Sequence, residues 1–482
     1  MDWLGVRGVP FLARRNYYYE LWHMVFWSIL AGLLEGQFAA VVVAKTFHGS
    51  ENLIAIATAA PTAANLFSLV WGLLCVGRPK VRLATVFAAG TVLCAGAVCA
   101  IPASSVAGVW FLAQICSAQV LLAGVVTVRS AIWKSNYPRS DRGRITARLQ
   151  AVRFVMSILT ALAAARLADR DPASYKYVYP AAAMFGALSL VFLRRIHIRG
   201  ERRELSTYAI REPSRDRPPF TPSVKAEGAG YPSSSAEGLA QGEVESRMLE
   251  PYALTALLSP GHVLGRMLRV LRDDQRYFKY CIAQMCTGLA HLMTLSIVVT
   301  VVTRDLVPDD ANGYWISMVL LDALPKLVML GSLGRWGRIF DRLGVLGMRT
   351  VNLLCWTASI VFGMAGDLLT PEPQDSGPCL FLLGITLFAL RGVATGLGQG
   401  GGAVAWYIGH LHFARPEDAE VYMGIHVSLT GLRGLVAPLA GMWLWQTIGW
   451  PVWLIAIGFS LASFHLYSSM ARDEERRQAT HP

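Results

Sequence analysis

The chain has 482 residues, of which 54% are hydrophobic and 16% are charged, and its net charge is +12. The apolar residues come in segments of about twenty, the length that a helix needs to cross a bilayer. No Asp, Glu, Lys or Arg occurs from Leu83 to Pro102, from Tyr177 to Leu193 or from Trp450 to Met470. This pattern excludes an ordinary soluble globular protein and indicates a chain that crosses a membrane many times.

In chain order, the apolar segments predict twelve membrane-spanning helices in two sets of six. The first six predicted spans are Leu21–Thr46, Asn52–Val76, Leu83–Ile101, Val106–Ser130, Ile145–Leu167 and Tyr177–Leu193. The second six are Tyr280–Val302, Asn312–Leu333, Leu346–Leu369, Cys379–Ile408, Val421–Ile448 and Trp450–Met470. We therefore expect an all-α integral membrane fold with two six-helix bundles, residues 21–193 and 280–470.

The remaining segments are polar. Residues 1–20 and 471–482 are short tails, and residues 194–279 form a long connection between the two bundles. The part Glu204–Glu250 is rich in Pro, Ser, Gly, Glu and Arg without an apolar period, which is typical of a disordered linker. The part Tyr252–Leu271 has the pattern of an amphipathic surface helix.

The distribution of Lys and Arg predicts the orientation. With a cytoplasmic N-terminus, the cytoplasmic loops and tails hold 20 Lys and Arg residues and the opposite loops hold five. One missed span would assign every later loop to the wrong side of the membrane. The asymmetry in Lys and Arg therefore also favours the span count. We expect a multi-pass protein of a bacterial inner membrane, with both termini and the linker in the cytoplasm. Because topology explains the positive charge, the expected partner is the lipid bilayer and no nucleic acid is expected.

The loop between the eighth and ninth spans carries a more specific signal. It contains Gly337, Asp341, Arg342 and Gly344 in the order Gly-Arg-Ile-Phe-Asp-Arg-Leu-Gly, and Arg349 follows. This loop resembles the signature of the major facilitator superfamily, Gly-x-x-x-Asp-Arg-x-Gly followed by basic residues. The resemblance implies a charged latch on the cytoplasmic side, with Gly337 permitting close helix approach and Gly344 permitting the turn. The matching loop of the first half has no acid, so a symmetric pair of latches is not expected.

The same resemblance implies which spans line the cavity. In this superfamily spans 1, 4, 7 and 10 line it, whereas spans 3, 6, 9 and 12 face lipid. Spans 3, 6 and 12 carry no acidic or basic residue other than His465, and the mid-membrane charges that we identify lie on spans 1, 8, 10 and 11. The polarity therefore follows the implied arrangement.

Charged residues near the bilayer centre are the first candidates for function, because each costs at least about 2.5–3.5 kcal/mol on insertion scales. Glu35 on span 1 is interpreted as a proton-coupling carboxylate or a solute contact, and a structural hydrogen bond is the alternative. Asp322 and Lys326 on span 8 are spaced i, i+4 and share a helix face. They form either an internal ion pair or a gating pair.

Arg391 on span 10 and Arg433 on span 11 are the second set of candidates. Guanidinium groups stay charged and bind carboxylate or phosphate through two parallel bonds, which favours an anionic solute. Alternatively, one of them is the partner of Glu35 or Asp322. Other candidates are polar residues on spans that the resemblance places around the cavity: Gln114, Gln119, Gln284 and His291.

Together these features predict a secondary transporter, expected to be a monomer, that moves a small solute by alternating access. Proton coupling and facilitated diffusion both remain open. The rival hypothesis is a non-transporting membrane sensor or scaffold that signals through the cytoplasmic linker. A membrane enzyme is disfavoured, because the chain has no nucleophile elbow, metal-binding helix motif or phosphate loop. No cofactor and no metal are expected.

Overall fold

The computed structural model describes residues 8–75, 78–102, 104–201, 205, 260–307, 312–370, 378–409, 412–414 and 419–480. Within these ranges the regular elements are helices and no strand occurs. Apart from Leu205, the predicted linker segment Glu204–Glu250 lies outside the described residues. The first part of the predicted amphipathic helix, residues 252–259, also lies outside them.

The first six spans follow the predicted order. Their helices are Arg14–Glu35 and Phe38–Lys45 in span 1, Glu51–Ala63 and Ser68–Cys75 in span 2, Lys80–Gly96 in span 3, Ala107–Asn136 in span 4, Arg139–Arg170 in span 5 and Tyr175–Leu193 in span 6. Spans 1 and 5 begin several residues earlier than predicted. Polar and basic residues continue both helices beyond the apolar segment, and apolar content alone does not detect such helix ends.

The second six spans are more irregular. Span 7 is Gln275–Thr300 with a π-helical turn at Val301–Leu306, and span 8 begins as Gly313–Met318 with a π-helical turn at Val319–Ala323. One long helix, Leu324–Leu369, contains the rest of span 8 and all of span 9. Spans 10, 11 and 12 are Pro378–Ile408, Ala419–Ile448 and Pro451–Thr480.

The long helix folds back on itself at Gly344, whose φ of 65° and ψ of −173° are not helical. Trp336 and Asn352 are sixteen positions apart, which would separate them by about 24 Å along a straight helix. Both nevertheless lie against Gly401 of span 10. Spans 8 and 9 are therefore a tight hairpin.

The predicted count of twelve spans follows from this hairpin. Ten described helices are long and apolar enough to cross a membrane, and one of them, Gly313–Leu369, has 57 residues. The two segments of span 1, bent by 45°, supply another. Counting the hairpin at Gly344 as two spans gives twelve, in two sets of six.

The outer surface of the bundle is apolar. Large side chains on spans 3, 6, 9 and 12 are exposed, such as Leu93 at 72%, Met184 at 74%, Leu354 at 57% and Leu461 at 58%. Exposed apolar residues on these helices fit a surface that contacts lipid, as the sequence predicts.

The short helix Pro260–Asp273 lies outside the membrane-spanning set. Met267, Val270 and Leu271 pack against an aromatic cluster at one end of the second half, while Leu268 and Arg269 are exposed. This arrangement confirms the second part of the predicted amphipathic helix.

Candidate functional site

Span 1 begins at Arg14 and finishes at Lys45, and these residues name the two ends of the bundle, the Arg14 end and the Lys45 end. Between its two helical segments, span 1 is broken, so that the last carbonyls of the first segment lose their helical partners. The side-chain amide of Gln119 on span 4 donates to one of them, the carbonyl of Leu34, at 2.7 Å. Irregular backbone inside a membrane is stable only where protein or water replaces the lost bonds. The side chain of Gln119 therefore stabilises the break in span 1 by replacing a lost backbone hydrogen bond.

Span 8 is irregular at the same level. Its π-helical turn contains Asp322, which is buried. A β-carbon built on Gly36, within the break of span 1, would lie 2.9 Å from Oδ1 of Asp322. Two irregular segments, one from each half, thus touch at the interface between the halves. π-helical turns are frequent at functional sites, and broken helices at the interface of membrane repeats often form binding sites.

Two ion pairs flank this contact. The guanidinium of Arg153 on span 5 donates to the carboxylate of Glu35. On span 8, Nζ of Lys326 lies 2.7 Å from Oδ2 of Asp322. The same ammonium donates to Oγ of Ser157 on span 5 at 2.8 Å. A hydrogen bond therefore crosses from the second half to the first beside the contact between the broken segments.

The partners and the exposure of these charges matter for function. The alternative in which Arg391 or Arg433 neutralises Glu35 is wrong, because Glu35 pairs with Arg153. The side chains of Arg153 and Glu35 are 22% and 25% exposed although both lie near mid-depth of their spans. Charged groups persist at this depth where they are paired, and Glu35 and Arg153 pair with each other.

Charged side chains seal the Lys45 end of the interface. Nζ of Lys45 donates to the carbonyl of Val307, and the guanidinium of Arg304 donates to the carbonyl of Gly49. Each bond joins a side chain of one half to the backbone of the other. These contacts hold spans 1 and 7 together at the Lys45 end.

Span 5 adds to this seal through Asp169. Its carboxylate accepts from the backbone N–H of Tyr314 at 2.8 Å and of Trp315 at 3.2 Å, at the start of span 8. The hydroxyls of Thr46 and Tyr314 are 2.7 Å apart, and the guanidinium of Arg166 lies 4.1 Å from the centre of the Trp315 ring. The two halves are thus closed together at the Lys45 end.

Spans 2 and 11 cross at close range between the halves. A β-carbon on Gly434 would lie 2.6 Å from Cβ of Thr62, and one on Gly431 would lie 2.9 Å from Cγ of Leu66. Glycine at these two positions lets the helices approach more closely than any other residue would.

Four sequence candidates lie together inside the second half. His291 is within electrostatic range of both Arg391 and Arg433. Nη1 of Arg433 donates to the backbone carbonyl of Gln284 at 2.6 Å. The side-chain amide of Gln284 is 3.3 Å from Nε2 of His426, which the sequence candidates did not include. The candidates on spans 7, 10 and 11 therefore form one polar cluster.

Arg349 extends this cluster and does not act in the loop. It is 7% exposed, and its electrostatic neighbours are Tyr280, Tyr467 and Arg433. The resemblance assigned Arg349 to the cytoplasmic latch, but its side chain lies inside the bundle. The reason is that Arg349 is five residues beyond the turn at Gly344, already within span 9.

Gln114 lies apart from the residues around Gly36 and Asp322 and from the polar cluster of the second half. It lines an apolar surface groove between spans 3 and 4, with Leu93 and Trp110 among its neighbours. Gln119 lies on the opposite side of span 4, toward span 1, as the contact with Leu34 indicates. The structure thus separates the two glutamines that the sequence grouped together.

The loop signature keeps only part of its expected geometry. Gly344 makes the turn, and its positive φ favours glycine. A β-carbon on Gly337 would meet no atom within 4 Å, so the expected close helix approach is absent. Asp341 and Arg342 are exposed, and neither pairs with a described residue.

Sequence reasoning missed Arg153, Ser157 and Glu20. The first two lie inside the predicted span 5, and Arg153 is the basic residue that Glu35 required. Glu20, just before the predicted start of span 1, is 1% exposed and accepts hydrogen bonds from the indole of Trp133 and the hydroxyl of Tyr137. An earlier start of span 1 was the signal that would have found it.

Comparisons with known proteins agree with this architecture. A family model described as Major Facilitator Superfamily matches residues 23–390. A comparison with curated proteins found no match.

Among solved structures, a variant of the nucleoside transporter NupG is similar, with 11% identity, a TM-score of 0.61 and coverage of 95% of this chain and 99% of that chain. A variant of the peptide transporter POT in complex with sulfate has 13% identity, a TM-score of 0.59 and coverage of 97% and 98%. A POT family transporter in complex with 5-aminolevulinic acid has 13% identity, a TM-score of 0.59 and coverage of 96% and 99%. Identities this low show a shared fold alone. Since the family model matches most of the sequence and the fold agrees, this multi-pass membrane protein belongs to the Major Facilitator Superfamily.

Proposed function

We propose that the chain is a secondary transporter that moves a small solute by alternating access, with the solute site between the halves beside Gly36 and Asp322. Membership of a transporter family supports the general class. The observation that carries the position of the site is the partly exposed ion pair of Glu35 and Arg153 near mid-depth. Charged side chains that keep partial exposure near mid-depth support a path for a polar solute there.

The orientation proposed from the basic loops relates this conformation to the two sides of the membrane. With both termini in the cytoplasm of a bacterial inner membrane, the Lys45 end faces outward. The contacts of Lys45, Arg304 and Asp169 close that end. From this closure we infer an inward-facing conformation, in which a solute would enter the site from the Arg14 end.

The pairing of charges favours movement of one half against the other. Glu35 and Arg153 both belong to the first half, and Asp322 and Lys326 both belong to span 8. Separation of the halves breaks the hydrogen bond from Lys326 to Ser157 but leaves both ion pairs whole. Breaking a buried ion pair costs several kcal/mol, whereas losing one hydrogen bond costs about 1 kcal/mol. At mid-depth the interface can therefore open without breaking an ion pair.

The same arrangement supports Glu35 as the proton-coupling residue. Its carboxylate lies in a partly exposed position, and protonation there would release the guanidinium of Arg153. A released guanidinium would be free to contact a solute or the neighbouring carboxylate of Asp322. Facilitated diffusion is the outcome if Glu35 does not exchange protons during transport.

The test begins with thermal unfolding of purified protein across organic anions, sugars, amino acids and nucleosides, in which a bound solute raises the unfolding temperature. Proteoliposomes then measure uptake of the stabilising solute with and without an imposed pH gradient. We expect uptake that follows the gradient and that Glu35→Gln uncouples. Uptake that ignores the gradient would leave facilitated diffusion. If no solute is transported and deletion of Glu204–Glu250 abolishes function in a complementation assay, the chain is a scaffold.

A further inference from the structure

Three arginines that lie inside the second half have no carboxylate partner among the described residues. Arg391 and Arg349 are 3% and 7% exposed, and Arg433 lies against the backbone of span 7. Arg391 and Arg433 are near the middle of their helices, and Arg349 is closer to the Arg14 end. Guanidinium does not lose its charge inside proteins. The bundle therefore holds a line of positive charge.

Nearby carboxylates are engaged elsewhere. Asp322 pairs with its own helix neighbour, as described above. Oδ2 of Asp367 accepts from the indole N–H of Trp453 at 2.7 Å, and Oδ2 of Asp274 accepts from the hydroxyl of Tyr422 at 2.8 Å. None of these carboxylates forms an ion pair with the three arginines. The charge is not neutralised by the described part of the chain.

The same region contains buried polar atoms without a hydrogen-bond partner among the described residues. The unpaired donors are Nη2 of Arg391, Nε of Arg433, Nε of Arg349 and the hydroxyls of Tyr280 and Tyr467, and the other unpaired atoms include Nδ1 of His291 and the acceptor Oε1 of Gln284. Native proteins leave few such groups unpaired, and a cluster of them calls for an acceptor from outside the chain. Arginine and tyrosine donors together match an anion.

Local packing keeps Arg433 in place and leaves space beside it. A β-carbon on Gly288 would overlap the guanidinium stem of Arg433, so only glycine allows the side chain to pass span 7. A cavity of about 10 Å³ lies next to Arg433, lined also by Gln284, His426 and Thr430. This volume admits one water or one small group. The cavity is too small for a whole organic solute, and a polyatomic anion beside Arg433 would have to widen it.

We propose that the arginine cluster of Arg349, Arg391 and Arg433, with Tyr280 and His291, binds an anionic group inside the second half. The group is either a free inorganic anion or the acidic group of the transported solute. This inference deepens the proposed function by assigning a class to the solute. The anion-binding measurement itself requires no transport, so the two proposals fail separately.

The test is thermal unfolding of the purified full-length protein in detergent or nanodiscs, at constant ionic strength set with gluconate. Chloride, sulfate and inorganic phosphate replace gluconate in titrations. We expect saturable stabilisation by at least one of them. Arg433→Lys keeps the charge but loses the planar fork, and Gly288→Ala displaces the guanidinium. Both are expected to weaken anion binding at least tenfold.

Arg335→Lys is the matched control, because Arg335 is exposed at the Arg14 end of span 8 and the substitution is the same as at Arg433. It is expected to bind the anion as the parent protein does. The inference is overturned if no anion stabilises the parent protein, or if Arg433→Lys, Gly288→Ala and Arg335→Lys all bind equally well.

Competition separates the two sources of the anionic group. When the transported solute is known, displacement of the bound inorganic anion by that solute assigns the site to the acidic group of the solute. Simultaneous binding of both assigns it to a free anion. If the anion binds but no solute is transported, the proposed transport function fails and the anion site stands.

Discussion

The carboxylate of Asp322 in span 8 lies directly against the backbone of Gly36 in span 1, where a β-carbon would be 2.9 Å from Oδ1. The contact joins the break of one half to the π-helical turn of the other. It also leaves no room for a side chain, since the same β-carbon would be 2.9 Å from the carbonyl of Gly32. The smallest side chain at position 36 therefore tests whether this contact matters for transport.

Gly36→Ala is expected to lower transport at least tenfold, because the methyl group pushes the two irregular segments apart. Overpacking of this kind typically costs about 1–3 kcal/mol, so the unfolding temperature should also fall. Uptake into proteoliposomes, normalised to folded protein, measures the effect. Gly337→Ala is the matched control, because its β-carbon meets open space. Equal activity of the two variants would contradict the contact.

The ion pair of Glu35 and Arg153 should give a strong coupling in a double-mutant cycle. Either Glu35→Gln or Arg153→Gln leaves one charge near the bilayer centre without its partner, whereas the double variant leaves none. We expect the double variant to unfold at a higher temperature than the Glu35→Gln single variant. The expected coupling energy between the two positions is about 1–3 kcal/mol. Strictly additive effects would mean that the two side chains act independently.

A cross-link at the Lys45 end should stop transport. The hydroxyls of Thr46 and Tyr314 are 2.7 Å apart across the interface between the halves. With all eight native cysteines replaced, Thr46→Cys and Tyr314→Cys joined by a short cleavable bifunctional reagent hold this end closed. We expect loss of uptake and recovery after cleavage.

The control for this cross-link joins two residues within one half. Oγ1 of Thr357 and Oγ of Ser460, on spans 9 and 12, are 2.6 Å apart. Linking cysteines at those positions should leave uptake nearly unchanged, because the half moves as a unit. Equal inhibition by both cross-links would argue against movement of rigid halves.

The buried carboxylate of Glu20 is expected to act in stability and not in transport. Glu20→Gln replaces one acceptor oxygen by a donor that faces Trp133 or Tyr137, both of which donate in the parent protein. An unsatisfied buried group costs about 1–3 kcal/mol. The unfolding temperature should therefore fall by several degrees, while uptake per folded molecule stays within twofold of the parent protein. A large loss of uptake without a loss of stability would instead place Glu20 in the transport cycle.

The fold was predictable from the sequence to a large extent. Segment length and charge distribution predicted twelve spans, and Gly344 lies at the turn between the separately predicted spans 8 and 9. The ends of spans 1 and 5 were less predictable, because polar residues continue a helix beyond its apolar segment. Glu20 was missed for this reason. Arg153 lies inside the predicted span 5, but the sequence does not show that span 5 packs beside Glu35.

The site was predictable only in its residue types. Asp322 and Lys326 share a helix face by their spacing, and the structure contains that pair. The partner of Glu35 depends on which helices are neighbours, and spacing carries no such information. The same holds for Gln114 and Gln119, since five positions on one helix place them on different sides of span 4.

The most direct test of alternating access needs no known solute. Spin labels at Ser135 and Arg335 report the distance between the halves at the Arg14 end, and labels at Ala173 and Thr447 report it at the Lys45 end. Pulsed electron paramagnetic resonance compares the parent protein with a variant in which Asp169→Asn and Arg304→Gln weaken the contacts that close the Lys45 end. Alternating access predicts that the Lys45-end distance lengthens in the variant while the Arg14-end distance shortens. Distances that stay fixed, or a Lys45 end that opens without closure of the Arg14 end, would contradict the account.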